Sequence, residues 1–329
     1  MSKAVVIGGN SFSGSNTIRA LLEKDFEVLS IGRSKEIDVP FNPYKKLVTK
    51  NNFRFIRGKL NNEIESTANK ISKFKPKFVF NFAAQSMVAE SWKTPEDWYE
   101  ANVIGVARLS NELNRITSIE KFIQFTTPEV YGNTNEWIRE SFNFNPTTPY
   151  AVSRAGGDFH LKCMFETHGF PVIFTRTANV YGPGQQLYRI IPRGILSTYS
   201  GLTIPLHGGG QSVRSFIHIE DVVNGLIRIS ESGIIGDSYH ISTDELVSII
   251  GLIKLIAEKR NISVSDFTEL VPDRPGKDQA YKLDSSHIRK TLGWKDSISL
   301  SQGVDGTISW IEDNIELLMK LPTIYHHKR

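Results

Sequence analysis

Tyr150 and Arg154 stand four residues apart, and Pro149 comes immediately before them. Proline costs no hydrogen bond at the first position of a helix, so this segment is predicted to start one, with both side chains on one face. A phenol with a cation one turn away suits transfer of a proton to and from a hydroxyl, because the cation stabilises the tyrosinate and draws its pKa toward neutrality. Taken alone, the spacing also fits an amphipathic helix with two surface residues, and the context has to decide. Thr127 and Glu129 lie upstream, just after the apolar run Phe122-Ile123-Gln124-Phe125. That run reads as a buried strand, which brings both side chains out at its carboxyl end, where open α/β sheets bind ligands.

The elements that must position these groups begin at the first residues. Ala4-Val5-Val6-Ile7 reads as a buried strand, Gly8-Gly9-Asn10-Ser11-Phe12-Ser13-Gly14 as a glycine-rich turn, and the segment carrying Ile18, Leu21 and Leu22 as an amphipathic helix. Glycines there let the backbone approach a pyrophosphate, whose charge is met by free N–H groups and the positive end of the helix dipole. Gly8, Ser11, Phe12, Ser13 and Gly14 are therefore candidate dinucleotide contacts, the alternative being a structural turn. A second strand, Glu27 to Ile31, ends in Gly32-Arg33-Ser34-Lys35. An NAD site usually carries an acid here for the ribose hydroxyls, whereas Arg33 and Ser34 suit a 2′-phosphate. NADP is expected to be favoured, with NAD as the alternative.

A third strand is predicted at Phe53 to Ile56, followed by Gly58-Lys59-Leu60 and a polar helix to about Ser72. The fourth, Phe78 to Phe82, closes on Ala83-Ala84-Gln85-Ser86. The small residues admit a flat ring or ribose, and Gln85 and Ser86 supply donors beside it. A helix from about Pro95 to Ile116, the strand before Thr127 and another at Pro171 to Arg176 continue the alternation. The expected fold is α/β: a Rossmann-like, doubly wound parallel sheet with a smaller C-terminal α+β substrate domain. The dinucleotide domain is expected to take residues 1–177, with returning segments near 212–242, and the substrate domain mainly 178–329. In the latter, helical patterns run from Asp244 to Lys259, Ser285 to Leu292 and Leu300 to Asn314. Arg189, Arg193, Arg214 and Arg274 lie in or beside glycine-rich loops. Converging arginines suit a diphosphate, although each alone also suits a surface ion pair.

With 329 residues, 40% of them hydrophobic, the chain can bury a large core. Its net charge of +4 is spread along the sequence, which argues against nucleic acid. No apolar run reaches membrane-spanning length, and Met1 to Gly8 enters a strand with no signal-peptide pattern, so a cytoplasmic protein without membrane contact is expected. The single cysteine, Cys163, reads as a small buried apolar residue. The closing His326-His327-Lys328-Arg329 reads as a solvated tail. No metal site is expected.

The chain resembles the extended short-chain dehydrogenase/reductases, and within them the nucleotide-sugar 4,6-dehydratases of the dTDP-glucose and GDP-mannose types. The likeness rests on the N-terminal turn, Ala83-Ala84-Gln85-Ser86, Glu90-Ser91-Trp92, Thr127-x-Glu129-Val130-Tyr131-Gly132, Pro149-Tyr150-Ala151-Val152-Ser153, and Asn179-Val180-Tyr181-Gly182-Pro183. It continues through Val213 to Asp221, Asp273-Arg274-Pro275-Gly276-Lys277-Asp278, Tyr281, Asp284 and Leu292-Gly293-Trp294.

The resemblance implies an internal redox cycle on a nucleoside-diphosphate hexose. Tyr150 takes the proton of the hydroxyl on carbon 4 as hydride passes to the nicotinamide, Thr127 bonds the same oxygen, and Glu129 removes the proton on carbon 5. Water leaves from carbon 6 and the hydride returns there. Gly8, Ser11, Phe12, Ser13, Gly14, Arg33, Ser34, Lys59, Leu60, Ala83, Ala84, Tyr150 and Arg154 fall to the cofactor. Gln85, Ser86, Asn179, Arg189, Arg214 and Arg274 fall to the substrate. A homodimer through a four-helix bundle is implied, with Val103, Val106, Leu109, Leu161 and Phe165 as candidate contacts, some of which must face their own sheet. The chain departs from the pattern at Arg154, a lysine in the family; at Pro128, an aspartate in the glucose enzymes; at Ser11, a glycine; and at Lys59, an aspartate. Two other readings stay open: an epimerase, reductase or decarboxylase on the same fold, and a non-catalytic dinucleotide-binding homologue.

Overall fold

The computed structural model describes residues 2–58, 63–134, 136–272 and 280–327. Its first strands are β1 (Lys3–Ile7), β2 (Glu27–Gly32), β3 (Phe53–Arg57), β4 (Phe78–Asn81), β5 (Lys121–Thr126) and β6 (Val172–Thr177). Then come β7 (Asn179–Tyr181), β8 (Ile204–His207), β9 (Val213–His218), β10 (Ser238–Ile241), β11 (Leu246–Ser248) and β12 (Thr268–Val271). Seven of them form a parallel sheet in the order β10-β6-β5-β4-β1-β2-β3. The chain runs outward from β1 to β3, then restarts at β4 on the other side of β1. That reversal opens a crevice at the carboxyl ends of β1 and β4.

Near-continuous apolar strands are what a sheet covered on both faces requires. Alternate residues of β1 divide between the two sides: Ala4 and Val6 join one core, Val5 and Ile7 the other. The first core is completed by α1 (Phe12–Glu23) and, later in the chain, the helix Ile219–Ser232, through Ile18, Leu21, Val222 and Leu226. The second is closed by α2 (Ile64–Phe74), α4 (Gly105–Leu113) and α5 (Pro149–His168), which bring Ile71, Leu109, Leu113 and Leu161, with α3 (Pro95–Tyr99) packed against α5. Each such full burial contributes about 1.5–3 kcal/mol.

Beyond β6 the chain adds α6 (Ile190–Ser200), α7 (the helix Ile219–Ser232), α8 (Ile249–Arg260), α9 (Ser286–Leu292), α10 (Leu300–Asp313) and α11 (Ile315–Leu318). Helices α6, α8 and α10 enclose a separate core around Ile195, Leu252, Ile256, Val304 and Ile311. Two small sheets lie with it, β11-β9-β7 and β12-β8.

Several expectations change. Helix α8 begins at Ile249, not Asp244, because Leu246–Ser248 pairs antiparallel with β9 and the Ser248 hydroxyl then caps the helix by accepting from Gly251 N at 3.0 Å. The helix expected from Pro95 to Ile116 stops at Leu113 and passes through a wider π turn at Glu100–Ile104. Cys163 is exposed, because its place on α5 turns away from the sheet. Val106, Leu109 and Leu161 pack against their own sheet and are buried, so they are not available to a partner. The tail is not simply solvated either. His327 stacks on Trp98 with ring centroids 4.8 Å apart, and its Nε2 lies 2.9 Å from Asp97 Oδ2, an aromatic and ionic pairing that no local pattern signals. Lys328 and Arg329 fall outside the described residues.

Candidate active site

The turn after β1 shows why glycine stands at its head. Gly8 has φ of 79°, and a Cβ there would lie 2.7 Å from Ala83 N, so the two loops meet only without a side chain. Ser11, in the place of a family glycine, has φ of −75° and caps α1, its Oγ accepting from Gly14 N at 3.1 Å. That backbone makes no demand for glycine. Gly14 sits beneath the turn, where an added Cβ would lie 2.5 Å from Gly8 O, and it does not line the cleft. Gly8, Ser11, Phe12 and Ser13 do.

The cleft has a volume of about 1870 Å³ and runs from this turn, past the ends of β2, β4 and β5, to α6 and β8. Arg33 and Ser34 line one end. The loop that carries them is held by Asn10, whose Nδ2 donates to Ser34 Oγ at 3.2 Å and to Lys35 O at 2.8 Å. Ala83, Ala84, Gln85 and Ser86 line the middle. Asn102, on the π turn, ties them down: its Oδ1 accepts from Gln85 N at 2.9 Å and its Nδ2 donates to Gln85 O at 3.0 Å. The same Nδ2 reaches Ser153 Oγ on the tyrosine helix at 2.9 Å. Neither Asn10 nor Asn102 was identified from the sequence. A lone asparagine carries no pattern, and the π turn that aims Asn102 leaves none either.

Thr127, Glu129, Tyr150 and Arg154 all line this cleft, from two elements. Thr127 caps the 3-10 turn Pro128–Tyr131, accepting from Glu129 N at 3.3 Å, and Thr148 caps α5 by accepting from Ala151 N at 3.2 Å. Both caps hold the neighbouring side chains at the cleft's edge. Burial pushes the Tyr150 phenol above its ordinary value. Arg154, a hydrogen bond from Thr127 and Arg189 pull it down, and Glu129 pushes it up. The direction thus reverses the expectation from spacing, because desolvation of the charged form outweighs the nearby cation.

Arg154 donates through Nη2 to Phe125 O, at the end of β5. One turn further along α5, Asp158 is fully buried with Arg176, Oδ2 to Nη2 3.3 Å, and accepts from Thr126 Oγ1 at 3.1 Å. Burial raises the Asp158 carboxyl, and Arg176 and Arg154 oppose it. The Arg176 guanidinium lies 4.9 Å from the Phe144 ring centroid and 5.5 Å from that of Tyr131. This packed ionic layer supports the strand end beneath Thr127.

On the far wall, Asn179, Arg189, Arg193 and Arg214 all line the cleft. Arg189 reaches Ser86 Oγ at 3.4 Å, and the Arg214 guanidinium stands 4.7 Å over the Tyr281 ring. Lys59, Leu60 and Arg274 lie outside the described residues. Tyr188, His207, and Leu321 to His326 except Thr323 also line the cleft, and the sequence had not marked them as site residues.

Comparison with known proteins places this geometry among relatives. A model of the GDP-mannose 4,6 dehydratase family matches residues 5–307. The dTDP-D-glucose 4,6-dehydratase of Homo sapiens is 31% identical over 322 residues, which cover 95% of this chain and 90% of that protein. The dTDP-glucose 4,6-dehydratase of Haemophilus influenzae is 29% identical, covering 94% of this chain and 98% of its own. A dTDP-glucose 4,6-dehydratase from Streptomyces venezuelae, solved with NAD and TYD bound, superposes with a TM-score of 0.86 at 27% identity, covering 95% of this chain and 98% of that one. A UDP-glucuronic acid 4-epimerase from Bacillus cereus reaches 0.86 at 24% identity, over 94% of this chain and 99% of that one, a likeness of fold alone.

Proposed function

The chain belongs to the GDP-mannose 4,6-dehydratase family and is a nucleotide-sugar 4,6-dehydratase of the extended short-chain dehydrogenase/reductase type, and from this we propose the roles of its cleft residues. The observation that carries the reading is a carboxylate, Glu129, in the same cleft as Tyr150 and Thr127. Transient oxidation needs only the last two, whereas elimination needs a base within reach of carbon 5.

A nicotinamide dinucleotide fits the turn: Gly8 leaves the space a side chain would fill, and the start of α1 faces the cleft. When bound it supplies the acceptor, and later the donor, of one hydride. Tyr150 takes the proton from the hydroxyl on carbon 4, with Thr127 bonded to the same oxygen and Arg154 favouring the tyrosinate. The new ketone acidifies carbon 5, and Glu129 removes its proton. Pro128 has no proton to give, so Glu129 or a bound water also protonates the hydroxyl leaving carbon 6. The net change is loss of one water, with no net oxidation. Gln85, Ser86 and Asn179 bind on the sugar side, and Arg189 and Arg214, with Arg274, bind the diphosphate. Incubating the protein with dTDP-, UDP-, GDP- and CDP-hexoses and following the mass of the product tests this. Loss of the mass of one water from any of them supports it, and epimerisation with unchanged mass refutes it.

NADP is our choice over NAD, because no acid stands at the end of β2 and the asparagine-held loop brings Arg33 and Ser34 to the cleft. The relative noted above was solved with NAD, which makes the choice a real test. Calorimetric titration is expected to give tighter binding of NADP, and Arg33→Ala to weaken NADP by about tenfold while sparing NAD, since one charge-assisted bond contributes about 1.5–3 kcal/mol. Tighter NAD binding by the parent protein overturns the choice.

A homodimer through α3–α4 and α5 is the second proposal of this kind. Tyr99, Ile104, Val152 and Phe159 are exposed on these helices, 39–44% each, and large exposed apolar side chains sharing a face mark a contact surface. Light scattering at micromolar concentration is expected to give twice the chain mass, and Phe159→Lys to lower it. A monomeric parent refutes the dimer. We also read the protein as cytoplasmic; among the described residues no helix is long and apolar enough to cross a membrane. Cell fractionation checks that reading.

A further inference from the structure

After α11 the chain does not turn away from the molecule. Residues 321–327 run along the rim of the cleft with alternating exposure: Leu321, Thr323, Tyr325 and His327 are half-buried, and Pro322, Ile324 and His326 are exposed. Two anchors hold the half-buried side. The Tyr325 ring meets Tyr188 edge-on at 5.2 Å between centroids. His327 stacks on Trp98 at 4.8 Å and pairs with Asp97 at 2.9 Å. Trp98 and Asp97 lie on α3, which packs on α5, while α11 lies with the separate core of α6, α8 and α10. The segment therefore joins the two walls of the cleft, and Leu321, Pro322, Ile324, Tyr325 and His326 all line it.

The segment and the loop after β2 meet on one core: Leu321 and Phe41 both pack on the core of α6, α8 and α10, and both line the cleft. Burial raises the Tyr325 phenol, with Tyr188 and Glu90 pushing the same way and Arg33 and Arg189 opposing. Arg33 stands at the end of β2, the end of the cleft where the ribose of a dinucleotide binds. Ile324, 64% exposed in this structure, also lines the cleft, as does Trp92 at 57%. Apolar surface left open at a cleft's edge is covered when a ligand fills it.

We propose that residues 321–327 form a strap that closes over the dinucleotide, latched by His327 on Trp98 and Asp97, and that it slows release of that cofactor. The inference rests on the reading that this cleft holds a dinucleotide. The chemistry favours such a strap. The hydride is returned within each turnover, so the cofactor never has to leave, whereas the sugar nucleotide must enter and depart each time. A closure over the cofactor alone does not delay the cycle.

The test measures release directly, without turnover. Protein loaded with NADPH or NADH is mixed with excess oxidised dinucleotide, and the loss of bound reduced-cofactor fluorescence is followed by stopped flow. Removing residues 321–329 is expected to speed release about tenfold or more, and His327→Ala or Asp97→Asn about threefold, the range for losing one stacked or ionic latch. Circular dichroism establishes that each variant is folded; if the shortened chain is not, the two point variants decide. Release at the parent rate from folded variants overturns the strap. So does a change confined to the affinity for the nucleotide sugar. A parent protein that holds neither NADPH nor NADH overturns the reading of the cleft itself, and with it the strap.

Discussion

In a Glu129→Gln variant, oxidation and elimination are expected to come apart. The amide keeps the size of the half-buried side chain but cannot accept the proton on carbon 5. Tyr150 and Thr127 are untouched, so reduced cofactor accumulates on addition of substrate and is seen by its absorbance. Loss of water falls by a factor on the order of 10²–10⁴, the contribution of a positioned general base. Water loss at the parent rate would make Glu129 a structural residue and remove the main support for its role. Pro128 adds a second arm. It occupies the first position of the 3-10 turn Pro128–Tyr131, where Thr127 is the cap and a negative charge is tolerated. Pro128 is buried but lines the cleft, so Pro128→Asp supplies an acid for the departing hydroxyl, and faster elimination is the expected outcome where circular dichroism shows that the turn tolerates the loss of proline's fixed φ.

Tyr150→Phe is expected to stop both halves of the reaction, because without the phenol no ketone forms to acidify carbon 5. The ring keeps its place in the cleft wall, so the chain folds and binds cofactor while reduced cofactor and dehydrated product both fall by a factor on the order of 10²–10⁴. Accumulation of reduced cofactor at the parent rate would assign the proton transfer elsewhere. The pH profile of the oxidation step refines the assignment. Tyrosinate is the reactive form and burial holds the phenol above its ordinary value, so the rate rises with pH toward that raised value. Arg154 opposes the rise in pKa. Arg154→Met therefore moves the rising limb to higher pH, and Arg154→Lys, which keeps a charge, returns most of the shift. A limb that stays in place in Arg154→Met would mean that the guanidinium does not act on the phenol.

The parts of this protein written in local patterns were legible from the sequence alone. A run such as Ala4-Val5-Val6-Ile7 followed by a glycine turn and an amphipathic helix has one compact solution, because each strand needs apolar residues on both faces and the turn tolerates no side chain at Gly8. The placement of Thr127 and Glu129 after β5, and of Tyr150 and Arg154 on the first turns of α5, follows from equally local signals: the end of a strand, a proline and a threonine cap. Those signals suffice to bring all four residues to one cleft.

Tertiary contacts decided the rest. The start of α8 depended on whether Leu246–Ser248 found β9 as a partner, and nothing near residue 246 carries that information. The cation at Arg154 was visible in the sequence but the desolvation of Tyr150 was not, and desolvation is the larger influence. Asn102 acquires its contacts to Gln85 and Ser153 only through a π turn, which shifts a side chain around the helix without changing its composition. His327 looked like part of a solvated tail because its partners, Asp97 and Trp98, stand about two-thirds of the chain away. Stacking and ion pairing across such a separation depend on how the two halves of the molecule face each other, and only the folded structure sets that.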